Sequence, residues 1–281
     1  MIRGDTQLLA IVGSPVAQVK SPVNFNEHFD RAGENVAMIA MDVRPSAVEA
    51  LVETIRGWEN LIGCVVTIPH KQAFASKVDF LSDRARALGA VNVVRRDGGG
   101  TLSGDMVDGF GFLGAARKHG FLPEGRRALV VGAGGAGSAI CYALCEAGVA
   151  ELAIFDTAED RRARLASFLA DKFPGTNIVE NRESLSSLDL LANATPVGMA
   201  ANPGLPLPDE LLETLSTATL VADVVTSPPM TPLLLLATRK GCRVQTGPEM
   251  AIAQLDYLGA ALGVMAAPRD YVPMPRDQRT V

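Results

Sequence analysis

Cysteine and histidine are scarce in this chain, and their scarcity excludes several kinds of chemistry. Only four cysteines occur among 281 residues, Cys64, Cys141, Cys145 and Cys242, without the close spacing of a zinc site or the pattern of a disulfide framework. Cys141 and Cys145 share a helical face, where a small buried apolar role is expected. The three histidines are scattered, so no metal site is expected. Long apolar runs are missing too: the stretch 233–236 lies between Pro232 and Arg239 and reads as part of a packed helix, not a membrane span. The amino terminus is polar and charged, with no signal-peptide pattern, and a cytoplasmic location is expected. Positive charge is not in excess, because the formal net charge is -5. The clusters Arg84/Arg86 and Arg161/Arg162/Arg164 lie among Asp and Glu and read as solvated helix faces, so neither nucleic acid nor membrane is an expected partner. No internal repeat emerges.

What is present is an ordinary acidic globular composition, 48% apolar and 20% charged, at a length where one core usually divides into two. The most informative stretch is RRALVVGAGGAGSAICYALCEAGVAELAIFD, residues 126–156. A short apolar run, 128–131, leads into Gly132, Gly134, Gly135 and Gly137. Ile140, Leu144 and Ala147 then fall on one helical face before Leu152, Ile154 and Phe155 resume a strand pattern. Strand, tight turn, helix and strand is the arrangement that cradles a dinucleotide pyrophosphate. The turn needs backbone freedom, the phosphates need close approach, and the amides at the helix start face an anion. Asp156, at the end of the second strand, stands where a carboxylate receives adenosine ribose hydroxyls.

Before that stretch, strands are expected at 8–12, 36–43, 61–68 and 90–95, with helices at 21–31, 46–57 and 82–88 and a turn at 97–100. The alternation predicts a separate α/β domain with a mainly parallel sheet and ligand-facing loops beyond the strand carboxyl ends. A helix at 107–118 crosses to the second domain. There, a helix at 158–173, strands at 177–179, 190–192, 221–225 and 242–245, and a helix at 232–239 are expected. A Pro-rich loop spans 201–209, and a last helix, 248–265, folds back onto the first domain. The expected fold class is α/β: an N-terminal α/β substrate domain, 1–106 with a helical return at 248–281, and a Rossmann-type nucleotide-binding domain, 107–247.

Several ordered segments together resemble the shikimate and quinate dehydrogenase family across nearly the whole chain. They are GSPVAQVKSP at 13–22, VVTIPHK at 65–71, GAVN at 89–92, SGDMVDGFGF at 103–112, GAGGAG at 132–137, NATPVGM at 193–199, TPLL at 231–234 and GPEMAIAQ at 247–254. The resemblance implies hydride transfer between a nicotinamide dinucleotide and a ring alcohol or ketone. It places the catalytic pair on Lys71 and Asp108, and substrate contacts on Ser21, Thr67, Asn92 and Gln254, with Lys20 beside Ser21. It places cofactor contacts on Gly132, Gly134, Gly135, Ala136, Gly137, Asp156, Asn193, Thr195, Pro196 and Gly247. A lysine can deliver or relay the hydroxyl proton, a carboxylate can orient it, and hydroxyl and amide groups suit a polyhydroxylated ring. Each residue type also has a plainer use: Ser21 as a helix cap, Thr67 as a strand end, Asn92 as a turn residue, Gln254 on a solvated helix face. The implied partner is a small cyclic hydroxy acid or related alcohol, and the family admits a homodimer.

Departures from the family pattern bear on specificity. The usual Ser-x-Ser pair is Val19 and Ser21, the preceding histidine is Gln18, and the Asn of Asn-Val-Thr is Val65. The Asn-Thr before the catalytic aspartate is Met106 and Val107, and a tyrosine near the Asp223 strand end is Thr226. Apolar groups in place of polar ones alter carboxylate recognition and predict that shikimate is not the best substrate, with Lys20 as a compensating attraction or a solvated side chain. In place of an Asn-Arg-Thr phosphate site stand Asp156, Thr157 and Ala158, followed by Glu159 and Asp160. NAD is therefore the expected cofactor, with NADP admitted through Arg161 or Arg162. Two alternatives stay open: a true shikimate dehydrogenase with compensated pocket changes, and a non-catalytic dinucleotide-binding regulator.

Overall fold

The computed structural model describes residues 2–180 and 182–275. The chain divides into two compact units, one running through Val107 and again from Gln254 onward, the other Asp108–Ala253. In the first unit the elements are β1 (Gln7–Gly13), α1 (Ser21–Ala32), β2 (Val36–Asp42), α2 (Val48–Gly57), β3 (Leu61–Val66), α3 (Lys71–Ala75), β4 (Phe80–Leu81), α4 (Asp83–Leu88), β5 (Val93–Arg96) and β6 (Leu102–Asp105). The second unit contains α5 (Asp108–Lys118), β7 (Arg127–Val131), α6 (Gly135–Glu146), β8 (Glu151–Phe155), α7 (Glu159–Lys172), β9 (Asn177–Val179), β10 (Leu190–Asn193), α8 (Asp209–Leu212), β11 (Leu220–Asp223), α9 (Pro232–Arg239) and β12 (Arg243–Gln245). The last helix, α10 (Gly247–Leu262), begins in the second unit and ends in the first.

The first sheet has the order β2-β1-β3-β5-β6-β4. Its central strand β1 is apolar on both faces, with Leu9 and Val12 fully buried, as befits a parallel strand covered on both sides. It pairs in parallel with β2 and β3. The sheet is less uniformly parallel than the alternation suggests, because β5 runs antiparallel to both β3 and β6. The reason is local: the turn between β5 and β6 is too short for a crossover, and Gly99 and Gly100 adopt positive φ within it. On α1, Phe25 and Phe29 lie one turn apart with ring centroids 5.8 Å apart. Both are buried, and each contributes about 1.5–3 kcal/mol by the usual transfer scale. The end of α10 packs against β3 at Gly63, where an added Cβ would sit 2.8 Å from Leu262 Cδ2.

The second sheet is wholly parallel, in the order β12-β11-β10-β7-β8-β9. One of its faces is closed by a core that includes Leu129, Leu191, Val221, Leu233 and Leu234. The helix α5 lies against α6 so closely that a side chain on Gly109 would meet Ala139 O and Ala143 Cβ. Cys64, Cys141, Cys145 and Cys242 are all buried and free; burial pushes the Cys64 and Cys145 thiols up to about 12. Among the described residues, no helix is long and apolar enough to cross a membrane, and no group of three or more His, Cys, Asp and Glu is placed to hold a metal ion.

Candidate active site

In the first unit, candidate residues gather at the carboxyl ends of β1 and β3. Thr67 follows β3 directly; its N–H donates to Val12 O (2.8 Å), and its carbonyl accepts the N–H of His70 (2.9 Å). This turn delivers Lys71 to the first position of α3, so the lysine belongs to a short helix, not to an open loop, and is half-buried there. The Lys71 carbonyl accepts the N–H of Val91 (3.0 Å), which brings Asn92 alongside. Asn92 is buried, and its backbone bridges Asp105 O (2.9 Å) and Val66 N (2.7 Å). Its side-chain Oδ1 accepts the N–H of Val107 (2.8 Å), fixing the backbone one residue ahead of Asp108. Asp108 opens α5 in the second unit, where the helix dipole favours a carboxylate.

Ser21 is the first residue of α1, yet the position that caps the helix belongs to Lys20, and no side chain caps it. The Ser21 side chain is half-buried and Lys20 is exposed. Gln254, half-buried on α10, is the residue at which that helix enters the first unit. Among the apolar replacements, Val65, Met106 and Val107 are buried, so packing now fills the positions that polar groups hold in the family pattern. Val19 and Thr226 are half-buried.

The second unit carries the glycine turn between β7 and α6. Gly132 has φ +102°, and an added Cβ there would lie 2.9 Å from Thr195 Cγ2 and 3.0 Å from Ala194 O. A Cβ on Gly137 would collide with Gly132 O, whereas one on Gly134 would meet nothing within 4 Å. The turn is thus tight beneath and open above, with Gly134 at the N-cap of α6 and Gly135 and Ala136 in its first turn. An open backbone cradle at the start of this helix fits a dinucleotide pyrophosphate.

Asp156 lies at the end of β8 with its side chain only 4% exposed. Its oxygens accept from Ala133 N (2.7 Å), Ala158 N (2.8 Å) and the Arg161 guanidinium (2.7 and 3.1 Å). Burial pushes its carboxyl up, but Arg161 and the two amides outweigh burial and hold it below the usual carboxylate range. A ribose diol reaches this carboxylate only by sharing it with the Arg161 fork. Arg162 is also paired, with Glu159 (2.5 Å) and Glu180 (3.6 Å).

Asn193 is consumed internally. Its Nδ2 donates to Val197 O (3.0 Å) and Asp223 Oδ2 (3.1 Å), and its Oδ1 accepts from Thr195 N (3.1 Å) and Thr195 Oγ1 (2.6 Å). It shapes the loop that presents Thr195 and the exposed Pro196. Gly247 has a packing reason, since any side chain there would strike Val225 O.

Two clusters join residues that the motifs do not link. One is Asp105, which accepts from Arg84 (2.8 Å twice), Ser82, Met106 N (2.7 Å) and Tyr271 Oη (2.8 Å). The other joins Asp223 to Asn193 and Thr231. Each left a local signal, Asp105 within SGDMVDGFGF and Thr231 followed by Pro232, a helix-start pair.

Comparison with known proteins adds a consistent set of likenesses. A family model described as the shikimate dehydrogenase substrate binding domain matches residues 11–94. A shikimate dehydrogenase (NADP(+)) of Rubrobacter xylanophilus is 38% identical over 260 residues, covering 90% of this chain and 89% of that protein. The fold is similar to that of shikimate 5-dehydrogenase from Listeria monocytogenes in complex with shikimate and NAD, with TM-score 0.86, 29% identity and 96% of both chains covered. It is also similar to that of a ligand-free 5-ketofructose reductase from Gluconobacter sp., with TM-score 0.84, 28% identity, and 94% of this chain and 95% of that one covered.

Proposed function

Because the chain belongs to the shikimate and quinate dehydrogenase family, we propose that it is an NAD-preferring dehydrogenase acting on shikimate, quinate or a less polar cyclic hydroxy compound. The observation that carries this reading is the grouping of Thr67, Lys71 and Asn92 at one sheet end, with Asn92 Oδ1 tied to the backbone that leads into Asp108. When bound, the nicotinamide ring supplies or accepts the hydride. Lys71 Nζ delivers the proton to the carbonyl oxygen in reduction and steadies negative charge there; in oxidation it relays the hydroxyl proton away. The family resemblance gives Asp108 the orienting role, while Thr67, Asn92, Ser21 and Gln254 pair donors and acceptors of the ring.

The preference for NAD is supported by charge. Asp156 engages Arg161, and Arg162 is held by two glutamates, so neither guanidinium is an unengaged cation for an added phosphate. The less polar substrate is supported by the loop before α1. Val19 stands where a hydroxyl would be, Lys20 at the N-cap position is exposed, and Ser14 Oγ donates to Asp42 (2.7 Å), which leaves a carboxylate near the loop. Likeness to a reductase named for an uncharged keto sugar favours the same direction.

Measuring kcat/KM for shikimate, quinate and uncharged cyclic alcohols tests the substrate. A value for shikimate of about 10⁵ M⁻¹s⁻¹ or more, within the normal enzyme range, favours a true shikimate dehydrogenase instead. Lys71→Ala is expected to lower kcat by about 10²–10⁴-fold while dinucleotide binding persists. Dinucleotide binding without turnover on the whole panel favours a regulatory protein.

A further inference from the structure

We infer that Asp223 is a positioning residue for the dinucleotide site: from the carboxyl end of β11 it sets the geometry of loop 194–199 through Asn193 and of loop 224–231 through Val225 and Thr231. The inference rests on the dinucleotide reading of the glycine turn and goes beyond the family motif residues.

Asp223 is fully buried. Its Oδ2 accepts from Asn193 Nδ2 (3.1 Å) and Thr231 Oγ1 (2.7 Å), and its Oδ1 accepts from Val225 N (2.9 Å). All three partners are neutral donors, and among the described residues no ion pair holds the carboxylate in the core. Such a placement is costly, and burial does push its carboxyl above the usual range despite the three donors. What an aspartate supplies here and an asparagine does not is an acceptor at both oxygens. That dictates the orientation of the Asn193 amide: the NH₂ must face Asp223, so Oδ1 must face Thr195. Oδ1 then receives both the N–H and the hydroxyl of Thr195, while Thr195 Oγ1 accepts the N–H of Val197 (3.1 Å).

Both ends of this network terminate on glycines with no spare room. Thr195 Cγ2 and Ala194 O lie against Gly132 in the pyrophosphate turn, and Val225 O lies against Gly247. On the α9 side, Thr231 Oγ1 also accepts the N–H of Leu234 as the helix N-cap. Rotating the Asn193 amide would therefore shift the loop that abuts the glycine turn. Asp223 acts through Asn193 and Thr195.

The test is fluorescence titration of the full-length protein with NADH and NADPH, run on the wild type, Asp223→Asn, Thr231→Val and Thr231→Ser. Steady-state kinetics and thermal unfolding of each variant accompany it. Asp223→Asn and Thr231→Val are expected to weaken dinucleotide binding by roughly ten- to a hundredfold, the range for leaving a buried donor unpaired. KM for the cofactor should rise more than kcat falls, and Thr231→Ser, which keeps the hydroxyl, should restore binding to near the wild-type value. Folded Asp223→Asn or Thr231→Val protein with wild-type affinity overturns the inference, as does a lowered melting temperature with affinity unchanged. If Asp223→Asn does not fold, the Thr231 pair decides. Wild-type protein that binds neither dinucleotide overturns the functional reading itself, and this inference with it.

Discussion

At Asp156, four donor atoms converge on two oxygens, and the proposed preference for NAD rests on that crowding. A carboxylate in this position first suggests a simple acceptor for ribose hydroxyls. Its actual surroundings make it also the anchor of the glycine turn, through Ala133, and the partner of Arg161. Substituting Asp156→Asn removes the charge, unbalances the Arg161 fork and leaves a cation beside the site. The expected result is a rise of about tenfold or more in the NADP-to-NAD ratio of kcat/KM, since about 1.4 kcal/mol of charge attraction is a factor of ten. Parallel titrations at matched salt measure it; an unchanged ratio would show that Asp156 is only structural.

Among the elements, the segment after α10 has a larger role than its lack of regular structure suggests. Tyr271 donates its hydroxyl to Asp105 (2.8 Å), and Arg84 lies 5.1 Å from the centre of the Tyr271 ring. Arg95, forked onto Asp97, also donates to the carbonyls of Met274 (3.0 Å) and Pro275 (2.8 Å). Ending the chain at Asp270 would strip partners from two buried charge networks in the first unit. Both ion pairs survive, but each buried partner left unpaired costs about 1–3 kcal/mol, and a loss of that order or more is expected in urea unfolding. Tyr271→Phe alone should cost about 1–3 kcal/mol, the penalty for one missing buried partner. A truncated protein as stable as the full chain would contradict this role.

On the scale of the molecule, its buried carboxylates give stability a definite dependence on pH. Burial raises Asp105, but Arg84, Ser82 and Tyr271 outweigh it and bring its pKa below the ordinary value, as Arg161 and backbone amides do for Asp156. For these two, the folded state binds protons less readily than the unfolded state. Their stabilisation is present above the ordinary carboxylate pKa of about 3.9 and is lost as pH falls through their lower folded values. Asp223 has the opposite sign: its pKa is raised, so stability declines as pH rises from about 3.9 to its folded value and then levels off. Chemical denaturation across pH should therefore show an acid-side loss, and Asp105→Asn should flatten it. An acid limb unchanged by Asp105→Asn would place the linkage elsewhere.

Strand and helix periods, the glycine turn and the order of the motifs were legible in the chain because they depend on neighbours a few residues apart. Apolar strand 128–131, Gly132 to Gly137 and the face of Ile140 and Leu144 specify their own local structure. So did the segments that identify the family, including VVTIPHK with Lys71 and SGDMVDGFGF with Asp108. Only the tertiary structure decided that Lys71 starts a helix, that β5 runs antiparallel, that Asn193 is spent on Thr195 and Asp223, and that Arg161 occupies Asp156. Residues 105 and 271, or 193 and 223, meet only once strands and loops have been brought together, and no local period records that meeting.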